Sequence, residues 1–212
     1  MNFNLKLKTL ALSYLINKFN GDNYHNASKF FNVYKIWNNI RLDSVPGDYI
    51  EFGIFKGKTL LHSLKTYNKL FPKNKIISFY GLDSFDGFPA DNHEFYNKMN
   101  FQASFEKVRA DFSKYQNVNI YKGFFTEVLK DKDFTDLNFS FVFIDCDIYE
   151  SSIDVFKYIE NRISKGGFLM IDDFTSIDKN GNSIYKAFKE IINSDEYIYF
   201  SSYSSGRIYR KL

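Results

Sequence analysis

Four carboxylates at two places in the chain are the residues best suited to do chemistry. Asp145 and Asp147 follow the apolar run 141–144 (F-V-F-I), and Asp172 and Asp173 follow the run 168–171 (F-L-M-I). Both runs are apolar at successive positions, which is how strands read when both faces of a parallel sheet are covered. Between them Ile153, Phe156, Ile159 and Ile163 recur at helical spacing, so residues 151–163 are expected as a helix ended by Gly166 and Gly167. If the two strands of this strand–helix–strand unit are neighbours, their ends lie about 4.8 Å apart. The four carboxylates then crowd at the edge where open α/β sheets hold ligands. Like charges so placed call for a cation, and Mg²⁺ or another divalent ion prefers oxygen ligands. Asp145, Asp172 and Asp173 are the expected metal ligands. The competing structural readings are a helix cap at Asp147 and a turn at Asp173.

A second site is expected where a strand at residues 49–52 runs into E-F-G-I-F-K-G-K-T, residues 51–59, and then a helix over 59–70. Gly53 and Gly57 let the backbone turn tightly and let a ligand approach closely. The middle glycine of a dinucleotide fingerprint is missing, and Glu51 would repel phosphate. A ligand with a cationic centre and no phosphate fits better, and S-adenosylmethionine is such a ligand. After the next expected strand, residues 75–80, Asp83 stands where an acidic residue commonly accepts ribose hydroxyls. Thr59, Ser84, Gly123 and Asp145 complete the set of expected cofactor-binding residues.

The elements that must position these residues alternate along the chain. Helices are expected over 5–19 and 27–42, the latter with Phe30, Val33, Tyr34, Trp37, Ile40 and Arg41 on one face. Residues 90–112 read as a loop and a helix, with His93 placed to overhang the site as part of a lid. Residues 119–122 form a third strand and residues 183–193 a further helix. Residues 197–201 and 207–211, joined through Tyr203-Ser204-Ser205-Gly206, read as a terminal antiparallel hairpin. Together these make an open, mostly parallel, doubly wound α/β sheet.

The 212 residues suit one domain with a sizeable core. Lys and Arg number 28 against 25 Asp and Glu, interspersed, which gives no ground for nucleic-acid binding. Aromatics make up 20% of the chain and are given no ligand-stacking role. The lone Cys146 allows no intrachain disulfide and fits a reducing, cytoplasmic setting. No apolar run approaches the roughly 20 residues of a membrane span.

The segments GDYIEFGIFKGKTL, GLDSFDGFP, FIDCDIYESS and GGFLMIDDF, in that order, resemble the macrocin O-methyltransferase family, S-adenosylmethionine-dependent enzymes that methylate sugar hydroxyls. The resemblance spans roughly residues 44–190. It implies a seven-stranded Rossmann-like methyltransferase fold over residues 44–212 and a bound Mg²⁺ on Asp145, Asp172 and Asp173. Asp147 falls on the family's proposed general base, with His93 or His25 in reserve, while His62 is expected to pack. Glu51, Gly53 and Gly57 fall on its glycine loop, and Asp83 on its ribose carboxylate. Residues 1–43 would be N-terminal helices serving as a lid or as the contact of a homodimer. The acceptor would be a sugar, nucleotide sugar or glycoside, from cell-surface polysaccharide or natural-product biosynthesis. The stretch between Pro89 and Phe112, and Asn182–Lys186, depart from the family pattern. A rival reading takes Asp145-Cys146-Asp147 as the D-x-D of a metal-dependent glycosyltransferase. A dinucleotide oxidoreductase and a non-catalytic subunit fit the residues less well.

Overall fold

The structure, a computed structural model, describes residues 12–14, 17–18, 21–72, 76–89 and 101–212. His93 and most of the helix expected over residues 5–19 lie outside them. In chain order the described elements are α1 (Gly21–Leu42), β1 (Asp48–Phe52), α2 (Lys58–Leu70), β2 (Phe79–Asp83), α3 (Phe105–Phe112), β3 (Val118–Lys122), α4 (Phe125–Val128), β4 (Phe139–Ile144), α5 (Tyr149–Ile159), β5 (Ile163–Ile171), α6 (Ile184–Ile191), β6 (Tyr197–Tyr203) and β7 (Gly206–Lys211). The seven strands form one sheet in the order β3-β2-β1-β4-β5-β7-β6. The first five run parallel, and β7 and β6 close the edge as an antiparallel hairpin. This is the expected doubly wound α/β sheet with seven strands and a terminal hairpin.

The apolar runs divide between the two faces. Phe141 and Phe143 of β4 and Phe168 and Met170 of β5 pack with Val33, Ile36, Trp37 and Ile40 of α1 and Leu60 and Leu64 of α2. Val142, Ile144, Leu169 and Ile171 face the opposite way, onto Val155, Phe156 and Ile159 of α5 and Ile184 and Phe188 of α6. That division is the period of two expected of strands covered on both faces. Phe139 breaks it by joining the second face, because the pairing register slips between Phe139 and Phe141. Trp37 is fully buried, with the rings of Tyr49, Tyr67, Phe71, Phe79 and Phe141 around it and its Nε1 donating to Ser63 Oγ at 2.8 Å. It is a core residue, as expected.

Four elements differ from the sequence reading. The second strand is Phe79–Asp83, later than residues 75–80, so Gly81-Leu82-Asp83 belong to it. Gly81 is therefore not a strand end. It is glycine because a Cβ would stand 2.8 Å from Leu60 Cδ2 and 3.1 Å from Ile54, where α2 packs on the sheet. Gly166 and Gly167 do not end a helix. That helix stops at Ile159, and the glycines lie within β5 where its register slips, Gly166 at φ 80°. The helix near the N-terminus starts at Gly21, six residues before residue 27. Its buried stripe is Val33, Ile36, Trp37 and Ile40, while Tyr34 and Arg41 face solvent.

Candidate active site

The strand order reverses between β1 and β4, and the loops leaving those strands border the crevice that such a reversal opens. A ladder of backbone bonds fixes the strand ends side by side. Gly53 N–H donates to Leu82 O, Asp145 N–H to Phe52 O, and Asp172 N–H to Ile144 O, each at 2.8 Å. Gly53 has to be glycine: its φ is +87°, and a Cβ would stand 1.9 Å from the Asp145 carbonyl oxygen.

A cavity of about 290 Å³ opens here. Gly53, Asp83, Ser84, Gly123 and Asp145 of the expected cofactor set line it. Glu51, Gly57 and Thr59 do not. Gly57 instead turns the chain into α2 at φ 72°, and Thr59 is buried on that helix. Glu51 is 1% exposed, accepts a 2.6 Å hydrogen bond from Tyr49 Oη, and is pushed up to about 8 by burial, with the Asp145 charge adding to it. Asp83 accepts from Phe55 N–H and from Phe85 N–H, one on each oxygen, both at 2.7 Å. It thereby ties the glycine loop to the end of β2. Burial nevertheless raises its pKa against those two bonds. Phe55, Phe88, Phe101, Phe124 and Phe125 also line the cavity, a place at a ligand site that the sequence reading does not give the aromatics.

The acidic edge adjoins this cavity. Asp145, Asp147 and Asp173 each offer an oxygen, and the three lie within 4.8 Å of one another. Asp147 and Asp173 hold left-handed backbone conformations, φ 61° and 42°, which aspartate adopts more readily than most non-glycine residues. Burial, then the charges of Asp145 and Asp173, drive the Asp147 pKa well above the carboxylate range. Burial and Asp172 raise Asp145 against the opposing pull of Lys29. A divalent cation bound among these three carboxylates would relieve that repulsion, so the donor set suits a hard ion.

Asp172, the third expected ligand, is engaged differently. Lys29 of α1 places its Nζ between Asp145 Oδ2, at 2.9 Å, and Asp172 Oδ2. His25 Nε2 meets the same Asp172 oxygen at 3.1 Å. Burial works to raise Asp172, but the His25 hydrogen bond and the Lys29 charge outweigh it and hold the carboxyl well below its usual range. His25 is raised in turn, first by that hydrogen bond. Lys29 stays protonated because the two carboxylates override the penalty of burial. The motifs of the sequence do not single out Lys29, although it lies four residues before Val33, on the buried stripe. A lysine on such a stripe needs a buried partner. His62, by contrast, stacks on Phe30 at 4.3 Å, as packing requires.

The profile of the Macrocin-O-methyltransferase (TylF) family matches residues 26–199. The 8-demethyl-8-(2,3-dimethoxy-alpha-L-rhamnosyl)-tetracenomycin-C 4'-O-methyltransferase of Streptomyces olivaceus is 29% identical over 146 residues, 62% of this chain and 54% of its own length. The mycinamicin III 3''-O-methyltransferase of Micromonospora griseorubida is 29% identical over 151 residues, 62% of this chain and 57% of its own. The chain thus spans little more than half the length of these curated relatives. Among solved structures, the calicheamicin methyltransferase CalS11 superposes with a TM-score of 0.71 at 16% identity, covering 99% of this chain and 93% of that one. The O-methyltransferase NovP superposes at 0.66 and 18% identity, covering 87% and 79%. At those identities the likeness is one of fold.

Proposed function

The chain belongs to the macrocin O-methyltransferase family, and from that membership we propose that it transfers the methyl group of S-adenosylmethionine to a hydroxyl of a sugar or glycosylated acceptor. One observation carries the reading: the convergence of Asp145, Asp147 and Asp173 beside a cavity floored by Gly53 and Asp83. The acceptor belongs to the class named in the relatives, a sugar on a glycosylated natural product, with cell-surface polysaccharide as the other candidate.

In this reading the cavity holds the donor. Asp83 accepts the ribose hydroxyls, the backbone at Gly53 and Gly123 permits close approach, and the phenylalanines wall the base. The donor supplies a methyl group on a cationic sulfonium, already a good leaving group. Asp145 and Asp173, with Asp147 or Asp172 as a third ligand, would hold a divalent ion such as Mg²⁺, which lowers the pKa of a coordinated hydroxyl and fixes its direction. The chain's own tasks are alignment and proton removal. As the acceptor oxygen bonds to the methyl carbon and the carbon–sulfur bond breaks, the hydroxyl proton passes to an Asp147 oxygen. Asp147 suits that role because its carboxyl is half-buried and lines the cavity beside Asp145. A cytoplasmic setting and a homodimer belong to the same proposal.

The test is to incubate the protein with methyl-labelled S-adenosylmethionine, Mg²⁺ and a panel of deoxysugar glycosides and nucleotide sugars. Acceptor-dependent S-adenosylhomocysteine with label on a sugar oxygen is the expected result. Tight binding of nucleotide sugars without binding of S-adenosylhomocysteine would overturn it in favour of glycosyl transfer.

A further inference from the structure

The arginines of β7 stand on opposite faces of the sheet and are engaged differently. Arg210 turns toward α1, where it pairs with Asp43, donates from Nε to Gly166 O at 3.1 Å and lies over the Phe168 ring. Arg207 turns the other way, onto the face that carries Tyr209 and Ile171, because Ile208 between Arg207 and Tyr209 is buried on the α1 side. Arg207 is half-buried, and its hydrogen bond among the described residues runs from Nη1 to Gly206 O, at 2.9 Å. It forms no ion pair among them. A guanidinium offers a planar fork of donors that matches a phosphate or a carboxylate, and most of that fork is unused here.

Position gives the fork its use. Arg207 is in register with Ile171, the last residue of β5, and adjacent strands lie about 4.8 Å apart. Asp172 and Asp173 follow Ile171, so the arginine stands beside the carboxylate edge. The turn that leads to it is fixed. Ser205 Oγ donates to Asp173 Oδ1 at 2.7 Å, and Gly206 packs so closely on Tyr203 that a Cβ would stand 2.3 Å from that ring. Arg207 does not line the cavity assigned to the donor, which leaves its guanidinium to the acceptor side.

Aromatic rings continue outward from the same place. Phe174, next to Asp173, meets Tyr185 at 5.5 Å and Tyr209 at 6.0 Å between ring centroids. Tyr209 meets Tyr199, its cross-strand partner, at 6.2 Å. Tyr185 and Tyr199 are exposed. Tyr185 belongs to Asn182–Lys186, the stretch whose sequence departs from the family pattern. Exposed rings near an unused guanidinium suit a ligand that carries an oxyanion beside a flat or apolar-faced unit.

We propose that Arg207 binds an oxyanion of the acceptor, a phosphate or a carboxylate next to the sugar that is methylated, with the Tyr185 ring beneath the unit beyond it. The inference rests on the methyl-transfer reading above and narrows its acceptor from sugars in general to charged ones. A neutral glycoside leaves the half-buried guanidinium without a partner, so charge at that place separates one acceptor from another. A sugar nucleotide presents such a group through its diphosphate, and an acidic glycan through a uronate.

Uridine diphosphate and methyl glucuronide are the probes, each titrated into protein saturated with S-adenosylhomocysteine and followed by nuclear magnetic resonance. At least one of them is expected to bind wild type and to weaken about 10- to 100-fold in Arg207→Gln, the usual contribution of a hydrogen bond to a charged group. Arg207→Lys keeps the charge and loses the fork, so its affinity should fall between the two. Binding of uridine diphosphate assigns the anion to a sugar nucleotide, and binding of the glucuronide alone assigns it to an acidic glycan. S-adenosylhomocysteine affinity should stay equal across these proteins, which a general loss of structure would not allow. Wild type that holds S-adenosylhomocysteine but neither probe overturns the proposal, as does unchanged probe affinity in Arg207→Gln. If that variant does not fold, Arg207→Lys decides, and wild-type probe affinity there overturns the assignment. Wild type that fails to hold S-adenosylhomocysteine would instead remove the methyl-transfer reading beneath it.

Discussion

Replacing Glu51 with Gln should make the protein more stable at alkaline pH. Glu51 sits at 1% exposure in β1, and the Tyr49 hydroxyl donates to it. Burial, with help from the Asp145 charge, moves its pKa from 4.5 to about 8, against the opposing Tyr49 bond and Lys29 charge. A carboxyl whose folded-state pKa lies above its unfolded value binds its proton more tightly in the native state. Its contribution to stability is therefore greatest below pH 4.5 and falls until the pH passes about 8. The window covers about 3.5 pH units, or on the order of 5 kcal/mol at about 1.4 kcal/mol per unit. A glutamine keeps the acceptor for Tyr49 and has no proton to lose. Urea denaturation of both proteins at pH 5 and pH 9, extrapolated linearly, reads the difference. At pH 5 the two should agree within about 1 kcal/mol. At pH 9 the variant should be the more stable, by up to about 4 kcal/mol, since most of the window has been crossed. Parallel pH profiles for the two proteins would refute the claim that Glu51 is held protonated, and with it the low-polarity setting assigned to this end of β1.

Gly53→Ala places a Cβ 1.9 Å from the Asp145 carbonyl oxygen at a left-handed backbone, so it should cost at least about 3 kcal/mol in thermal denaturation and abolish S-adenosylhomocysteine binding. Asp83→Ala strips acceptors from two backbone N–H groups, those of Phe55 and Phe85. It should destabilise by about 1–3 kcal/mol per orphaned donor and weaken S-adenosylhomocysteine in calorimetric titration. Trp37→Ala removes the centre of an aromatic cluster and should cost about 3–5 kcal/mol, read by the urea midpoint. Asp145→Asn should lose turnover while still binding S-adenosylhomocysteine, and activity retained after EDTA treatment would count against the metal.

The fold is legible in the sequence because its signals are local. Apolar runs at successive positions mark β4 and β5 within a few residues, and the spacing of acidic residues after them marks the functional edge. The glycines mislead where packing, not turning, requires them. Gly81 is a close approach inside a strand, and Gly166 and Gly167 lie at a register slip. The site is half legible. Asp145 and Asp173 can be placed from strand ends alone, whereas the loop geometry that swings Asp147 toward Asp173 depends on positive φ values that no sequence period encodes. Lys29 and His25 lie 116 and 147 residues from the carboxylates they meet, and only tertiary packing of α1 joins them. His25 stands in the sequence reading as a reserve base, whereas the one trace of Lys29 is position: His25, Lys29 and Val33 are four residues apart along a stripe that turns inward.

The central claim is that acidic groups from the ends of β4 and β5 hold an ion next to the methyl donor. Bound Mn²⁺ and S-adenosylmethionine carrying a ¹³C methyl test it in one sample, through the relaxation of the methyl signal. Strong enhancement in wild type, lost in Asp145→Asn with donor still bound, is the expected outcome. An unaffected methyl resonance with both ligands demonstrably bound would contradict it, because ion and methyl group would then occupy separate parts of the molecule.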